Sequence, residues 1–317
     1  MACNYAREPP YEFCDYTLRS LACSAQGFGR GAIGGRDGEV FHVTTLAADG
    51  PGSLAEACNK TCPLWIVFEV SGTIELSKYI RVRSFKTIDG RGQRIKIHGH
   101  GLQLKECEHV IICNIELERG PDDGIQLKPN TRNIWIDRCT LSDYDDGLID
   151  VTRASTDVTI SRCRFANHNK TMLLSADPTH TFDRVMRVTI HHCFFDNTRQ
   201  RHPRVRFGKA HLYNNYTRGW GVYAVCSAVE AEIMSIAGRQ NITLPPDCQA
   251  GAAAAGVASW GPPPQILSPA MPPAYAHGPQ HHYPPDNEQG EGDHKKRTHL
   301  GQLWSYVTAT SKKYFDK

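Results

Sequence analysis

Between Asp143 and Thr152 the chain reads Asp-Tyr-Asp-Asp-Gly-Leu-Ile-Asp-Val-Thr, with Arg153 next. Its four carboxylates, Asp143, Asp145, Asp146 and Asp150, fall within eight residues and repel one another unless a cation sits among them. A hard divalent ion held by oxygen ligands meets that need, and Ca2+ accepts about six to eight oxygens in flexible geometry. The same residues also suit an Asp-Gly surface turn, in which Asp bonds its own backbone. A second acidic turn, Asp122-Asp123-Gly124, lies upstream, and a cationic run, Arg199, Arg201, Arg204, Arg206 and Lys209 with His202 among them, lies downstream. By itself such a run is a solvated face or a nucleic-acid patch, and a net charge of only +3 gives no general case for nucleic acid. If the acidic turns and the cations shared one side of a fold, with Lys170 between them, the groove would suit an anionic substrate. Metal would lie on one side of its carboxylate and guanidinium and ammonium on the other.

A repeat supplies that shared side. Segments opening at Val110, Ile134, Val158, Val188 and Ala210 align with one another, each beginning apolar-x-apolar, and their second anchors follow at intervals of 24, 24, 30 and 22 residues. Alternation of this kind is a strand with every second side chain facing inward. Strands too short to bury a face alone, repeated at such a period, indicate a solenoid. The period of two excludes helical repeats, and the polar stretch from Ser175 to Asp183 accounts for the long interval as a loop. The expected architecture is all-β: a right-handed parallel β-helix, its strands about 4.8 Å apart along the axis. Equivalent loops of successive coils then stack, which places Asp123, Asp146, Lys170 and the arginine run on one side. Cys139, Cys163 and Cys193 share one column and read as small buried thiols rather than bridges.

The remainder of the chain is read around that repeat. Residues 1–24 are expected to form an N-terminal extension, and 25–235 the β-helix. Residues 236–293 form a Pro/Ala/His-rich linker, holding eleven of the nineteen prolines, and 294–317 a short basic amphipathic tail with Leu300, Leu303, Trp304 and Val307 at helical spacing. Gly27-Phe28-Gly29-Arg30-Gly31 is glycine-rich but lacks the Gly-Lys-Ser/Thr ending of a phosphate loop. Leu54 to Cys58 suits an amphipathic turn capping the open end of the solenoid, and Leu64 to Val70 a buried strand. Short strands are expected around Ile74, Val82, Ile88, Ile95 to Ile97 and Leu102 to Leu104. The first fourteen residues hold no apolar run of seven or more. No signal peptide and no membrane span are expected, and the chain taken literally stays in the cytosol. No zinc-type cysteine spacing is present.

Several ordered motifs together give a specific likeness. Gly27-Phe28-Gly29-Arg30, Thr87-Ile88-Asp89-Gly90-Arg91-Gly92, Trp135-Ile136-Asp137, Asp146-Gly147-Leu148-Ile149-Asp150-Val151-Thr152, Lys170-Thr171-Met172-Leu173 and Arg201-His202-Pro203-Arg204-Val205-Arg206-Phe207-Gly208 occur in this order. Over roughly residues 25 to 232 the chain resembles the plant-type pectate lyases, a polysaccharide lyase family on the parallel β-helix. The resemblance implies that Asp146 and Asp150 are calcium ligands, with Asp123 the acidic residue of the preceding coil. The family usually has a second Asp two residues before that one, where this chain has Pro121, and Asp122 stands in for it. It further implies Arg201 as catalytic base and Lys170 and Arg206 as binders of the substrate carboxylate. Polygalacturonate is then the partner, Ca2+ the cofactor, the protein a monomer, and its location extracellular, in the cell wall.

The implied chemistry suits those residue types. β-Elimination removes the C5 proton of a galacturonate, beside a carboxylate whose charge must be offset, and Ca2+, Lys170 and Arg206 would supply that offset. A guanidinium is protonated in water, so an arginine base needs crowding by other cations and implies activity at alkaline pH. His202 is the alternative base by ordinary acid–base reasoning. Two rival functions stand beside the lyase. A polygalacturonase would hydrolyse with paired carboxylates; Gly99-His100-Gly101 and Arg94-Ile95-Lys96 mimic its motifs, but in the wrong order and without an Asn-Thr-Asp partner. A non-catalytic β-helix would only bind acidic glycan.

Overall fold

The computed structural model describes residues 18–236. The linker and amphipathic tail expected beyond 236, and most of the N-terminal extension, lie outside the described residues. Twenty-two short strands wind into a solenoid in which every paired neighbour is parallel. Nine of them, Glu39–Val43, Leu64–Phe68, Lys86–Asp89, Glu108–Cys113, Arg132–Asp137, Thr156–Ser161, Arg187–His191, Lys209–Tyr213 and Glu232–Ile236, stack in chain order as a first face. The others form a second sheet, folded into two stacks joined through the long strand Arg164–Leu174. This is the parallel β-helix expected from the repeat.

Register explains the repeat. Phe41, Ile66, Ile88, Ile112, Ile136, Ile160, Ile190 and Leu212 occupy one column, each paired with the next, and all are buried in one continuous core. Phe165 and Phe195 stack inside at 5.1 Å between ring centroids. The cysteine column is buried and free. Each thiol donates to a carbonyl of the preceding coil: Cys139 to Ile112 at 3.7 Å, Cys163 to Ile136 at 3.8 Å and Cys193 to Ile160 at 3.6 Å. The corner before these cysteines, and before Ile115 and Asn215 at the same repeat position, is turned by a single left-handed residue, Asn114, Arg138, Arg162, His192 or Asn214, with φ between 51° and 56°. Non-glycine residues carry some strain there, and the stacked coils on either side hold them in place.

The first face departs from simple alternation. In Arg132–Asp137 four successive residues, Ile134, Trp135, Ile136 and Asp137, are fully buried. The cause is the chain before the first strand, which covers the outer side. Leu21, Ala22 and Ala32 pack there on Trp65, Ile111 and Trp135. The glycine-rich segment lies against a column of hydroxyls. Phe28 N donates to Thr189 Oγ1 at 3.0 Å, Gly29 N to Thr159 Oγ1 at 2.9 Å and Gly35 N to Thr87 Oγ1 at 3.0 Å. A side chain at Gly29 would come within 2.5 Å of the Ile134 carbonyl oxygen. The glycines thus permit close backbone approach, and the amides of Phe28, Gly29 and Gly35 are given to threonine hydroxyls. The helix Leu54–Asn59 forms as expected, capped by Ser53, whose Oγ accepts from Glu56 N at 3.1 Å.

Candidate active site

The residues singled out by charge lie along the stack that contains Leu102–Leu104, Ile125–Leu127, Gly147–Val151, the second half of Arg164–Leu174, and Arg204–Val205. Each coil delivers its polar residues at the approach to this stack. Asp122 and Asp123 precede Ile125–Leu127, Asp146 precedes Gly147–Val151, Lys170 pairs in register with Gly147, and Gln200 pairs with Lys170. Consecutive coils therefore present acid, acid, lysine and arginine in turn.

Ligand oxygens of Asp122, Asp123 and Asp146 lie within 4.8 Å of one another. Asp123 is buried, Asp122 half-buried and Asp146 exposed. Burial, then the Asp122 charge, raises the Asp123 carboxyl above its ordinary range, against the opposing pull of bonds from Gln126 and Gly147 N. Asp150 stands on the strand leaving the Asp146 turn, in register with Gln126. Its carboxyl is raised well above the usual range by burial, then by Asp123 and Asp146, with Arg201 and Lys128 opposing. Asp123 Oδ1 and Asp150 Oδ1 flank Gly147: a Cβ on that residue would meet them at 2.7 and 2.8 Å. Asp150 therefore joins the acidic group from the side, outside the compact trio. Hard oxygens crowded at these distances, with raised carboxyl pKa values, fit a divalent ion such as Ca2+.

The cations face them from the next coils. Lys170 Nζ lies 3.4 Å from Asp146 Oδ1. Arg201 adopts a left-handed backbone, φ 65°, and its carbonyl accepts from Met172 N at 2.9 Å. Its Nε is buried and has no hydrogen-bond partner among the described residues. Arg206 donates through Nη1 to the Ser175 carbonyl at 2.9 Å. Burial, then the Arg204 and Arg201 charges, lower its pKa from the ordinary arginine value. Three guanidinium groups thus share a small volume with one another, an arrangement that favours a polyanionic ligand.

His202 does not belong to this surface. It is 3% exposed, stacks on Phe195 at 4.9 Å between centroids, and pairs through Nε2 with Thr198 Oγ1 at 2.8 Å. Burial pushes its pKa down to about 3. A side chain turned into the core, and so weakly basic, is no candidate for the base, which corrects the alternative read from the sequence. Trp135 and Asp137 are likewise remote from the groove residues. Trp135 Nε1 donates to Ser161 Oγ at 2.9 Å, Ser161 Oγ to Asp137 Oδ1 at 2.6 Å and Arg162 Nε to Asp137 Oδ1 at 2.8 Å, all on the first face.

Other residues in the site carry no charge signature. Gln126 Nε2 lies 3.0 Å from Asp122 Oδ2 and 2.9 Å from Asp123 Oδ2. Tyr79 OH donates to the Asp123 carbonyl at 2.8 Å. Buried His168 donates through Nε2 to the Asp146 carbonyl at 2.9 Å and fixes that turn. The only sequence signal for Gln126 is its place in the repeat, opposite Asp150.

Comparison with known proteins agrees with this geometry. The pectate lyase family profile matches residues 75–244. Pectate lyase 2 of Ambrosia artemisiifolia is 38% identical over 257 residues, 73% of this chain and 64% of that protein. A pectate lyase of Nicotiana tabacum is 36% identical over 249 residues, 70% of this chain and 62% of its own length. The chain thus spans less than two thirds of these curated relatives. Among solved structures, Jun a 1, the major allergen from cedar pollen, superposes with a TM-score of 0.67 at 30% identity, over 75% of this chain and 81% of that one. With the coil architecture, the ordered acidic and basic turns and these matches in agreement, the chain belongs to the pectate lyase family.

Proposed function

We propose that the protein cleaves de-esterified pectin by calcium-dependent β-elimination, releasing unsaturated oligogalacturonides. The observation that supports this most is the order of charge along the solenoid, with Asp122, Asp123 and Asp146 clustered and Lys170 and Arg201 on the coils that follow. Asp122, Asp123, Asp146 and Asp150 would hold the ion. When bound, Ca2+ supplies positive charge beside the substrate carboxylate and so favours loss of the neighbouring proton.

The protein's own residues carry the remaining work. Lys170 and Arg206 hold the galacturonate carboxylate and offset the charge that accumulates on it as the C5 proton leaves. Arg201 takes that proton through its guanidine. The electron pair of the C5–H bond becomes the C4=C5 double bond as the C4–O glycosidic bond breaks, and the leaving oxygen takes a proton from solvent water. Asp146 restrains Lys170 at 3.4 Å, and His168 holds the Asp146 turn, so both charges meet the substrate already placed. A cell-wall location and a monomeric state belong to the same proposal. Among the described residues no helix is long and apolar enough to cross a membrane.

The test is incubation of the full chain with polygalacturonate, with Ca2+ or with a chelator, followed by ultraviolet absorbance of the unsaturated uronide. Absorbance that grows only with Ca2+ supports the proposal. New reducing ends without that absorbance would indicate hydrolysis, and binding without cleavage a glycan-binding solenoid.

A further inference from the structure

Gln126 is a neutral side chain inserted among the acids, and its surroundings fix how it acts. It is 2% exposed. Its amide group makes four contacts with residues of three coils. On the carbonyl side, Oε1 accepts from Gln103 Nε2 at 3.1 Å. On the amino side, Nε2 meets Asp122 Oδ2 at 3.0 Å, Asp123 Oδ2 at 2.9 Å and Tyr79 OH at 3.0 Å. The Tyr79 hydrogen is already given to the Asp123 carbonyl at 2.8 Å, so the Tyr79 oxygen can only accept from Gln126. Both hydrogens of the amide therefore point at oxygen acceptors, one of them shared. A flipped amide would set its carbonyl against two carboxylates. The opposite oxygen of Asp123, Oδ1, accepts from Gly147 N at 2.8 Å.

We infer that Gln126 is a positioning residue that holds Asp122 and Asp123 side by side for a divalent cation, and that Gln103 in turn orients Gln126. The inference rests on the calcium reading of the site. Its physical content lies in the choice of a neutral donor. A lysine or arginine in this place would bring the two carboxylates together by cancelling their charge, and would compete with the ion. An amide orients both oxygens and leaves both charges in place. Gln103 and Gln126 also stand at the same repeat position as Asp150. One outward column thus changes from amide to acid as it reaches the site: two rungs that orient, then one that carries charge. Outer-shell partners of this kind change metal affinity by about 10- to 100-fold when removed.

The experiment is calorimetric titration of the full chain with CaCl2 alone, in wild type, Gln126→Met, Gln103→Met and the double variant. The expected result is a loss of about tenfold or more in affinity for Gln126→Met and a smaller loss for Gln103→Met. The double variant should bind no more weakly than Gln126→Met, because Gln103 acts only through Gln126. Gln103 touches neither carboxylate, so additive losses would mean general loosening of the coils and would overturn the inference. Wild-type affinity in Gln126→Met would overturn it alone, provided the wild type binds. A wild type that takes up no calcium overturns the calcium reading and this inference with it. Should Gln126→Met fail to fold, Gln103→Met decides by itself, and unchanged affinity there counts against the relay.

Discussion

Acid should weaken this protein through a histidine that lies within the cationic run. His202 is buried against Phe195, and its pKa is pushed down from 6.5 to about 3. In the unfolded chain the ring takes up a proton at the ordinary value, whereas in the folded chain it stays neutral until far lower pH. Above the unfolded value both states are neutral and the group has no effect. As pH falls below 6.5 and toward 3, only the unfolded state gains the proton, and folding stability is lost. Each pH unit in that window weighs about 1.4 kcal/mol, so a drop from about pH 7.5 to about pH 4.5 removes roughly 3 kcal/mol through this one ring. Other groups contribute as well: the Asp123 and Asp150 carboxyls, raised chiefly by burial, act in the opposite direction. A comparison with His202→Gln cancels them, since the variant keeps every other group. Urea unfolding of both proteins at the two pH values gives the quantity directly. The stability advantage of the wild type over His202→Gln should shrink by roughly 3 kcal/mol at the lower pH. An advantage that stays constant to within about 0.5 kcal/mol would mean that the folded protein protonates His202 freely. It would also reopen the case for that ring as a base.

Three further outcomes follow from the site and the coil packing. Arg201→Lys should lose nearly all formation of unsaturated product while oligogalacturonate affinity stays within a few-fold, because charge survives but the guanidine does not; retained turnover with a raised KM would make Arg201 a clamp instead. Asp150→Asn should weaken calcium binding measured by calorimetry, and should also raise the calcium-free melting temperature, since it removes one of the mutually repelling, partly buried carboxyls; an unchanged affinity would remove Asp150 from the ligand set. Gly29→Ala should destabilise the fold by about 1–3 kcal/mol, read by urea denaturation, because the added methyl presses on the Ile134 carbonyl; a neutral effect would show that this covering segment yields without cost.

Periodicity made the interior legible. Ile112, Ile136 and Ile160 announce the first face because interior columns must stay apolar coil after coil. The acid–lysine–arginine order of the site was legible for the same reason, since residues one repeat apart become neighbours. The outer side of the first face was not. Trp135 and Thr159 look solvent-facing until residues 18–35, more than a hundred positions away, are folded over them. His202 was read among the arginines because the alternation of Arg204, Val205, Arg206 and Phe207, run backwards, puts it on their outward side; the alternation breaks at His202 and Pro203, which are both buried. Gln126 was missed because an amide has no charge to attract notice, and its role exists only through contacts with Asp122, Tyr79 and Gln103.

The segment hydrogen-bonded to the threonine column sets an order in time. A bare solenoid is quasi-one-dimensional: each coil answers only to its neighbours and can fray from either end. Here Phe28 is tied to Thr189, 161 residues later, and Gly29 to Thr159, 130 residues later. On a ribosome this segment, made before the coils it binds, would have to wait for coil after coil to emerge before its last bonds could close, so it completes the fold of the solenoid instead of beginning it. Contacts of such long range slow folding. Once closed, they bind separate coils into one cooperative unit, in which an early coil cannot open without disturbing a segment that also holds a late one.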